Sequence, residues 1–331
     1  MSTHSYLFHG LKLTISGEAG ILAALACRLR HFPTPASDAP SHLQIHFQPT
    51  EAPVGPGIQR PRGQYREVLQ VGEGRVFYFE KSRQISIDFP GCCRALGSLE
   101  TGEATVWYRE SAGVNPQLLA HSCFTILLSE LLKPHGLYMV HAAGLSLNGK
   151  GLLVAGASGA GKTTLTIALI RAGYGFLGDD TVFLSLRATG LRALAFPDEI
   201  GVTASTARFF PELRDLAEVP SAQNRPKHSL DYTRFPNARP SWECSPAVLV
   251  FPQPAGASAS VLTPLPKDQA LIELVCNVLR TDPHLAQAHL DALAAMVQQC
   301  ACFRLQTGRD FDSLSALLRA VLERTPPALS L

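Results

Sequence analysis

One short segment constrains the fold of this chain more than any other. Residues 156–163, Gly156-Ala-Ser-Gly-Ala-Gly161-Lys162-Thr163, fill every fixed position of the phosphate-loop pattern. The apolar residues 151–155 before it predict a buried strand, and residues 163–172 after it predict a helix. Glycines free the backbone N–H groups of such a loop to converge on phosphate oxygens at the positive end of the helix. The segment therefore predicts a nucleotide-binding site, although a glycine-rich turn can also connect a strand to a helix without a ligand.

Each residue of this loop has an expected task. Lys162 would reach the β and γ phosphates, and the Thr163 hydroxyl would help to hold Mg²⁺. The residues assigned to nucleotide binding are Gly156, Ala157, Ser158, Gly159, Ala160, Gly161, Lys162, Thr163 and Thr164.

A hairpin is predicted immediately upstream of the loop. Residues 137–140 and 144–147 predict strands, and Asn148-Gly149 between the second strand and the loop strand is a strong signal for a tight hairpin turn. An antiparallel hairpin is therefore expected to deliver the phosphate loop. In many phosphate-loop proteins, a lone parallel strand does so.

Two adjacent carboxylates, Asp179 and Asp180, follow a short predicted strand about seventeen residues past Lys162. One carboxylate can hold Mg²⁺, directly or through water, and the other can accept a proton from an attacking hydroxyl. We favour Asp179 as the base and place Asp180 with Thr163 at the metal. The alternative is a turn or surface pair without chemistry.

The remaining patterns predict an α/β protein with two domains. Residues 1–115 predict a smaller, mostly β N-terminal domain, and the apolar residues 116–136 predict a bridging helix. Residues 137–331 alternate strands and helices, which favours a domain in which helices flank a central sheet. Within it lies a proline-rich basic segment whose members Arg225, Lys227 and His228 would face phosphate or an acidic substrate, or simply solvent.

Composition limits the partners. Hydrophobic residues make up 46% of the chain and charged residues 17%, which is typical of a globular protein. A net charge of +2 does not indicate a nucleic-acid partner, and no apolar run is long enough to cross a membrane. The first residues lack the features of a signal peptide, so the expected location is cytoplasmic.

In the order and spacing of its motifs, the chain resembles the HPr kinase/phosphorylase family. The matching motifs are Val140-His141-Ala142-Ala143-Gly144, the Asn148-Gly149 turn, the phosphate loop and Gly178-Asp179-Asp180. Among its members, the chain is most similar to the short HPr-kinase-like serine kinases of gene clusters for ribosomally made, lasso-type peptides. The downstream signature that the long members associate with dephosphorylation is missing from the sequence.

The resemblance implies a fold, a reaction and roles for residues. It implies a hairpin-fed phosphate-loop kinase domain that transfers the γ-phosphoryl group of ATP, with Mg²⁺, to a serine hydroxyl of a peptide or protein. The acceptor would be a precursor peptide in a bacterial biosynthetic pathway. His141 would lie close to the phosphates, beside catalytic Asp179, Asp180 and Lys162. Members of the family are often oligomeric, so a homo-oligomer is consistent with the resemblance.

Three other interpretations remain open at this point. His141 can be a buried histidine that only supports its strand. The enzyme can be a kinase for a small-molecule hydroxyl on the same scaffold. The chain can also be a non-catalytic binding module gated by a nucleotide.

Overall fold

The structure is a computed structural model that describes residues 1–35, 40–51, 64–109, 119–217, 227–255, 259–275 and 281–325. The chain divides into two compact units. The first comprises Met1–Leu137 and Leu279–His289, and the second comprises Tyr138–Val278 and Leu290–Leu331.

An eight-stranded sheet forms the body of the first unit. Its strands are β1 (Ser2–Phe8), β2 (Leu11–Gly17), β3 (Leu43–Thr50), β4 (Tyr65–Val71), β5 (Gly74–Phe79), β6 (Gln84–Phe89), β7 (Cys93–Ser98) and β8 (Glu103–Arg109). The spatial order is β1-β2-β3-β8-β7-β6-β5-β4. The pairs β2–β3 and β3–β8 are parallel, and the others are antiparallel.

Helices α1 (Ala19–Leu29) and α2 (Phe124–Leu132) accompany this sheet. Helix α1 buries Ile21, Leu22 and Leu25. Helix α2 follows a π turn at Leu119–Cys123 and is buried over almost its whole length. The sequence prediction treated this apolar helix as a bridge. In the structure, its residues belong to the first unit.

Residues 281–289 join the first unit through polar contacts. The Arg66 guanidinium donates to the Thr281 backbone oxygen at 2.9 Å, and the Tyr78 hydroxyl donates to Asp282 at 3.1 Å. Arg83 forms an ion pair with the same carboxylate at 3.0 Å. The sequence prediction had assigned this stretch to the second domain.

The second unit is a mixed sheet with helices. Its strands are β9 (Tyr138–Val140), β10 (Ala142–Leu147), β11 (Lys150–Ala155), β12 (Gly175–Gly178), β13 (Val182–Arg187), β14 (Gly190–Ala195), β15 (Ile200–Val202), β16 (His228–Leu230), β17 (Glu243–Pro254), β18 (Val261–Pro264) and β19 (Ala301–Thr307). The helices that follow α2 along the chain are α3 (Lys162–Arg171), α4 (Ala204–Ala207), α5 (Arg214–Ala217), α6 (Lys267–Val275), α7 (Pro283–Gln299) and α8 (Phe311–Arg324). The residues of α7 up to His289 belong to the first unit.

Nine of these strands form one sheet. Seven follow the order β12-β10-β11-β17-β14-β13-β9, while β19 pairs with β17 and β18 pairs with β19. Strands β11, β17 and β19 run parallel. Strands β15 and β16 pair separately. The mixed α/β class predicted from the sequence is confirmed.

The predicted hairpin is present at β10–β11. Leu147 pairs with Lys150 across the turn, and Ala142 pairs with Ala155 at the other end. Asn148 and Gly149 both have positive φ, 52° and 78°, as a two-residue turn that follows the strand twist requires. The last residue of this hairpin, Ala155, is followed at once by the phosphate loop.

The core of the second unit anchors the helix after the loop. Helix α3 buries Leu165, Ile167, Leu169 and Ile170 in the core that it shares with strands β10 and β15 and with α8. At about 1.5–3 kcal/mol for each large apolar side chain, this burial holds the helix N-terminus rigidly at the end of β11. The strand–loop–helix arrangement predicted from the sequence is confirmed.

Candidate active site

The phosphate loop has a backbone that only glycine adopts readily. Gly156, Gly159 and Gly161 have φ values of 149°, 84° and 96°, all in the region that other residues avoid. Gly161 caps helix α3, and its carbonyl accepts the first helical hydrogen bond, from Leu165 at 3.0 Å. The N–H groups of this first helical turn have no partner within the helix, so they can bind an anion.

Lys162 is nearly buried in this loop, with 6% of its surface exposed. Its ammonium donates to the backbone oxygen of Gly156 at 2.8 Å and lies 3.4 Å from that of Ala157. Burial lowers the pKa of Lys162, and the charges of Asp180 and Asp179 partly offset this effect. The lysine is thus a cation held over the loop with its charge compensated by carboxylates.

Asp179 lies at the end of β12 and is 2% exposed. Its Oδ2 accepts a hydrogen bond from the Thr163 hydroxyl at 2.8 Å, while its Oδ1 is buried without a hydrogen-bond partner among the described residues. Burial, with the neighbouring charge of Asp180, raises the pKa of Asp179 to about 7. A carboxylate in such a position is stabilised in its ionised form when a cation or a donor reaches Oδ1.

Asp180 and His141 form the next part of the site. Asp180 is half-buried and lines a cavity beside the loop, and its backbone oxygen accepts a hydrogen bond from His141 Nδ1 at 2.9 Å. Since a carbonyl only accepts, Nδ1 carries the proton. Burial, and then the positive charge of Lys162, lower the pKa of His141. The ring is therefore neutral at pH 7, and its Nε2 keeps a lone pair that can accept a hydrogen bond.

Strand pairing adds Lys227 to this group. In the β15–β16 pair, Gly201 opposes Ser229 and Val202 opposes His228, which places the preceding Lys227 beside Gly201. The charge of Lys227 acts on His141, Lys162 and Asp179. A residue 65 positions from Lys162 in the sequence thereby contributes a second cation to the site.

These groups surround one cavity of about 570 Å³ in the second unit. Its lining includes the predicted residues His141, Ser158, Gly159, Gly161, Lys162, Thr163, Thr164, Asp180 and Lys227. It also includes residues that the sequence prediction missed: Gly201, Thr203, Ser205, Thr206, Phe209 and Pro254. The hydroxyls of the second group belong to the N-cap residue and the single turn of α4. Thr206 Oγ1 lies 3.1 Å from Thr164 Oγ1.

The remaining predicted residues take other positions. Gly156, Ala157 and Ala160 form the body of the loop, where the Ala160 N–H donates to the Ala157 oxygen at 3.2 Å. His228 is half-buried in β16 and is not among the residues that line the cavity. Arg225 lies outside the described residues.

The site fits a small, hard cation. The Thr163 hydroxyl and the Asp179 and Asp180 carboxylates offer oxygen ligands, and Asp179 Oδ1 is a buried oxygen that lacks a hydrogen-bond partner in the described structure. Mg²⁺ is usually held by one or two carboxylates together with water and substrate phosphates. The described residues contain no cluster of three or more His, Cys, Asp or Glu side chains that could hold a metal ion. Nor do they contain a helix that is long and apolar enough to span a membrane.

Similarity between this chain and known proteins is found among solved structures. No protein-family model and no curated protein matches it. Among solved structures, it is similar to the Hpr(Ser) kinase/phosphatase from Coxiella burnetii. The two share 11% sequence identity, the match covers 56% of this chain and 93% of that chain, and the TM-score is 0.28. Similarity at this level does not assign the chain to a family.

Proposed function

We propose that this protein is an ATP-dependent kinase that uses Mg²⁺ and phosphorylates a serine hydroxyl of a peptide or protein. One observation carries the proposal. A phosphate loop, two adjacent carboxylates and a neutral histidine surround the same cavity of about 570 Å³ or lie directly beneath its wall. Phosphoryl transfer needs little beyond such positioning and charge stabilisation.

The nucleotide would be held by the loop and its lysine. The N–H groups of the loop and the first turn of α3 would bind phosphate oxygens, and Lys162 would move its ammonium from the loop carbonyls to the β and γ phosphates. Bound Mg²⁺ would neutralise negative charge between those phosphates, held by Thr163 and the carboxylates. Lys227 would add a positive charge beside the transferred group.

The geometry favours Asp180 over Asp179 as the general base, the reverse of the assignment favoured from the sequence. Asp180 lines the cavity, where an acceptor hydroxyl can reach it. Asp179 is buried and bonded to the Thr163 hydroxyl, which suits a carboxylate that orients a metal ligand. His141 donates to the backbone oxygen of Asp180 and would help to hold that residue in place.

Serine as acceptor, and a precursor peptide as substrate, rest on the family resemblance in the sequence motifs. A pair of carboxylates beside a γ-phosphate can accept the proton of any hydroxyl. A peptide is the acceptor we propose because the motifs around His141 and Asp180 resemble those of kinases that act on peptides.

The test is phosphoryl transfer from Mg-ATP to peptides encoded beside the gene, read as a gain of one phosphate by mass spectrometry. General base catalysis contributes about 100- to 10,000-fold, so Asp180→Asn should lower the transfer rate by that factor. The exposed Asp215→Asn is the matched control and should retain the wild-type rate. Wild-type turnover in the double variant Asp179→Asn, Asp180→Asn would disprove the carboxylate mechanism.

Other outcomes favour other functions. Transfer to a small alcohol, with none to any peptide, would indicate a small-molecule kinase. Tight ATP binding with no transfer to either would indicate a nucleotide-gated binding module.

A further inference from the structure

Phe209 is an exposed aromatic residue at the rim of the candidate active site. It lies just after α4 and has 42% of its surface exposed. Its ring meets the ring of Phe311 edge to face at a centroid distance of 5.5 Å, and Phe311 in turn stacks on Phe210 at 5.7 Å. The exposed ring is therefore supported from below by other aromatic rings. An aromatic ring that is held by its neighbours and keeps this much exposed surface is suited to contact with a flat ligand.

Phe209 also belongs to two adjoining cavities. It lines the phosphate-loop cavity of about 570 Å³ and a second cavity of about 620 Å³. Ala168, Arg171 and Ala172, on the later turns of α3, line the second cavity, together with Phe311. The second cavity thus starts where the first ends and continues along the same helix.

Two stretches of chain set the direction in which a nucleotide would extend. At the start of α3, Lys162 and Thr163 lie next to the carboxylates. Thr164 lies next to Thr206. Ala168, one turn or about 6 Å further along the helix, reaches the second cavity. Along the opposite wall, Gly201 lies beside Lys227, Thr206 contacts Thr164, and Phe209 reaches the second cavity. Both walls lead from the reacting end to Phe209.

We propose that Phe209 is the stacking platform for the base of the nucleotide, which would occupy the second cavity. This inference rests on the proposed nucleotide-binding function. With the γ-phosphate beside Asp180 and Lys227, the base of a nucleoside triphosphate lies at the far end of the molecule, which is the end at Phe209. An aromatic ring recognises a purine through its π face, and the edges of the base stay free for hydrogen bonds.

An apolar side chain of the acceptor peptide is the competing occupant of Phe209. The acceptor hydroxyl must reach the carboxylate end of the cavity, where His141, Asp180 and Lys227 lie. Phe209 lies beyond Thr164 and Thr206, away from that end. The geometry therefore favours the base over the peptide.

The test compares the binding of Mg-ATP with that of Mg-tripolyphosphate, which has the same phosphates and no base, by isothermal titration calorimetry. Wild type should bind ATP more tightly than tripolyphosphate. Phe209→Ala should weaken ATP binding by about 5- to 150-fold, the range for loss of a stacked base, and leave tripolyphosphate binding unchanged. Phe209→Trp should keep the affinity for ATP. Phe209→Leu retains apolar bulk without a ring, so it should lose most of the difference in affinity between ATP and tripolyphosphate.

Trp242→Ala is the matched control, since Trp242 is 41% exposed in the same unit, and it should leave both affinities unchanged. The inference would be overturned if both Phe209→Ala and Phe209→Leu lost equal affinity for ATP and tripolyphosphate. It would also be overturned if neither variant lost affinity for ATP. A higher KM for the peptide with unchanged ATP affinity would overturn it as well. In these cases, the proposed kinase function would stand. Wild type that binds neither ligand would refute both the inference and the proposed function.

Discussion

Replacement of Asp179 by asparagine should stabilise the nucleotide-free protein at alkaline pH. Asp179 is 2% exposed, and burial raises its pKa from the ordinary 3.8 to about 7. Between these two values the folded protein binds a proton that the unfolded chain releases. Stability contributed by this group is therefore fully present below about pH 4 and is lost as pH rises towards 7.

The size of the effect follows from the two pKa values. The interval between 3.8 and about 7, at about 1.36 kcal/mol for each pH unit, corresponds to about 4 kcal/mol. Between about pH 5 and pH 8, where both forms can be measured, the free energy of unfolding of wild type should fall by about 2–3 kcal/mol from this residue. The side-chain amide of the Asp179→Asn variant cannot ionise, so the variant should lack this decrease.

Urea denaturation at both pH values measures the effect. The chain has two tryptophans, and in a Trp107→Phe background the fluorescence of Trp242 reports the unit that contains the site. The exposed Asp215→Asn should retain the wild-type pH dependence. If Asp179→Asn keeps the full decrease between pH 5 and pH 8, or is less stable than wild type at pH 8, the reasoning about the buried carboxylate is wrong.

Three further substitutions test the site and its support. Lys162→Ala should lower phosphoryl transfer at least about 100-fold, measured as kcat/KM, with an unchanged circular dichroism spectrum, because the charge over the phosphates is lost. His141→Ala removes the hydrogen bond to the backbone next to the base and should lower kcat about 10- to 100-fold. Gly178→Ala should cost about 1–3 kcal/mol in urea denaturation, because its Cβ would lie 2.3 Å from the Thr181 oxygen and 2.8 Å from that of Phe196. If a variant gave the wild-type value in its measurement, the role assigned to that residue would be wrong.

Local sequence patterns predicted the parts of the site that neighbouring residues determine. The phosphate loop, the Asn148-Gly149 turn and the strand before Asp179 each depend on a few adjacent residues. Glycines at positive φ and alternating apolar residues make such elements readable from the chain. The positions of the loop and helix α3 were therefore predicted nearly residue by residue.

Contacts between residues far apart in the sequence determine the parts of the structure that local patterns did not predict. Lys227 reaches the cavity because β16 pairs with β15, and Phe209 reaches it because α4 packs beside Thr164. No local sequence pattern predicts either contact. The same holds for residues 281–289, whose bonds to Arg66 and Tyr78 span about two hundred positions and place them in the first unit.

The roles of the two aspartates also required the structure. A pair of adjacent carboxylates looks symmetric in sequence. Only their different burial, and the hydrogen bond from Thr163 to Asp179, distinguish the buried member from the one that faces the cavity.

The central claim is phosphoryl transfer from ATP to an acceptor hydroxyl at this site. Its most direct measurement is ³¹P NMR of Mg-ATP turnover with a serine-containing peptide and the wild-type protein. The account predicts phosphoserine and ADP in equal amounts, with neither formed by the double variant Asp179→Asn, Asp180→Asn. ADP with inorganic phosphate alone, or phosphoserine formed by the double variant at the wild-type rate, would contradict it.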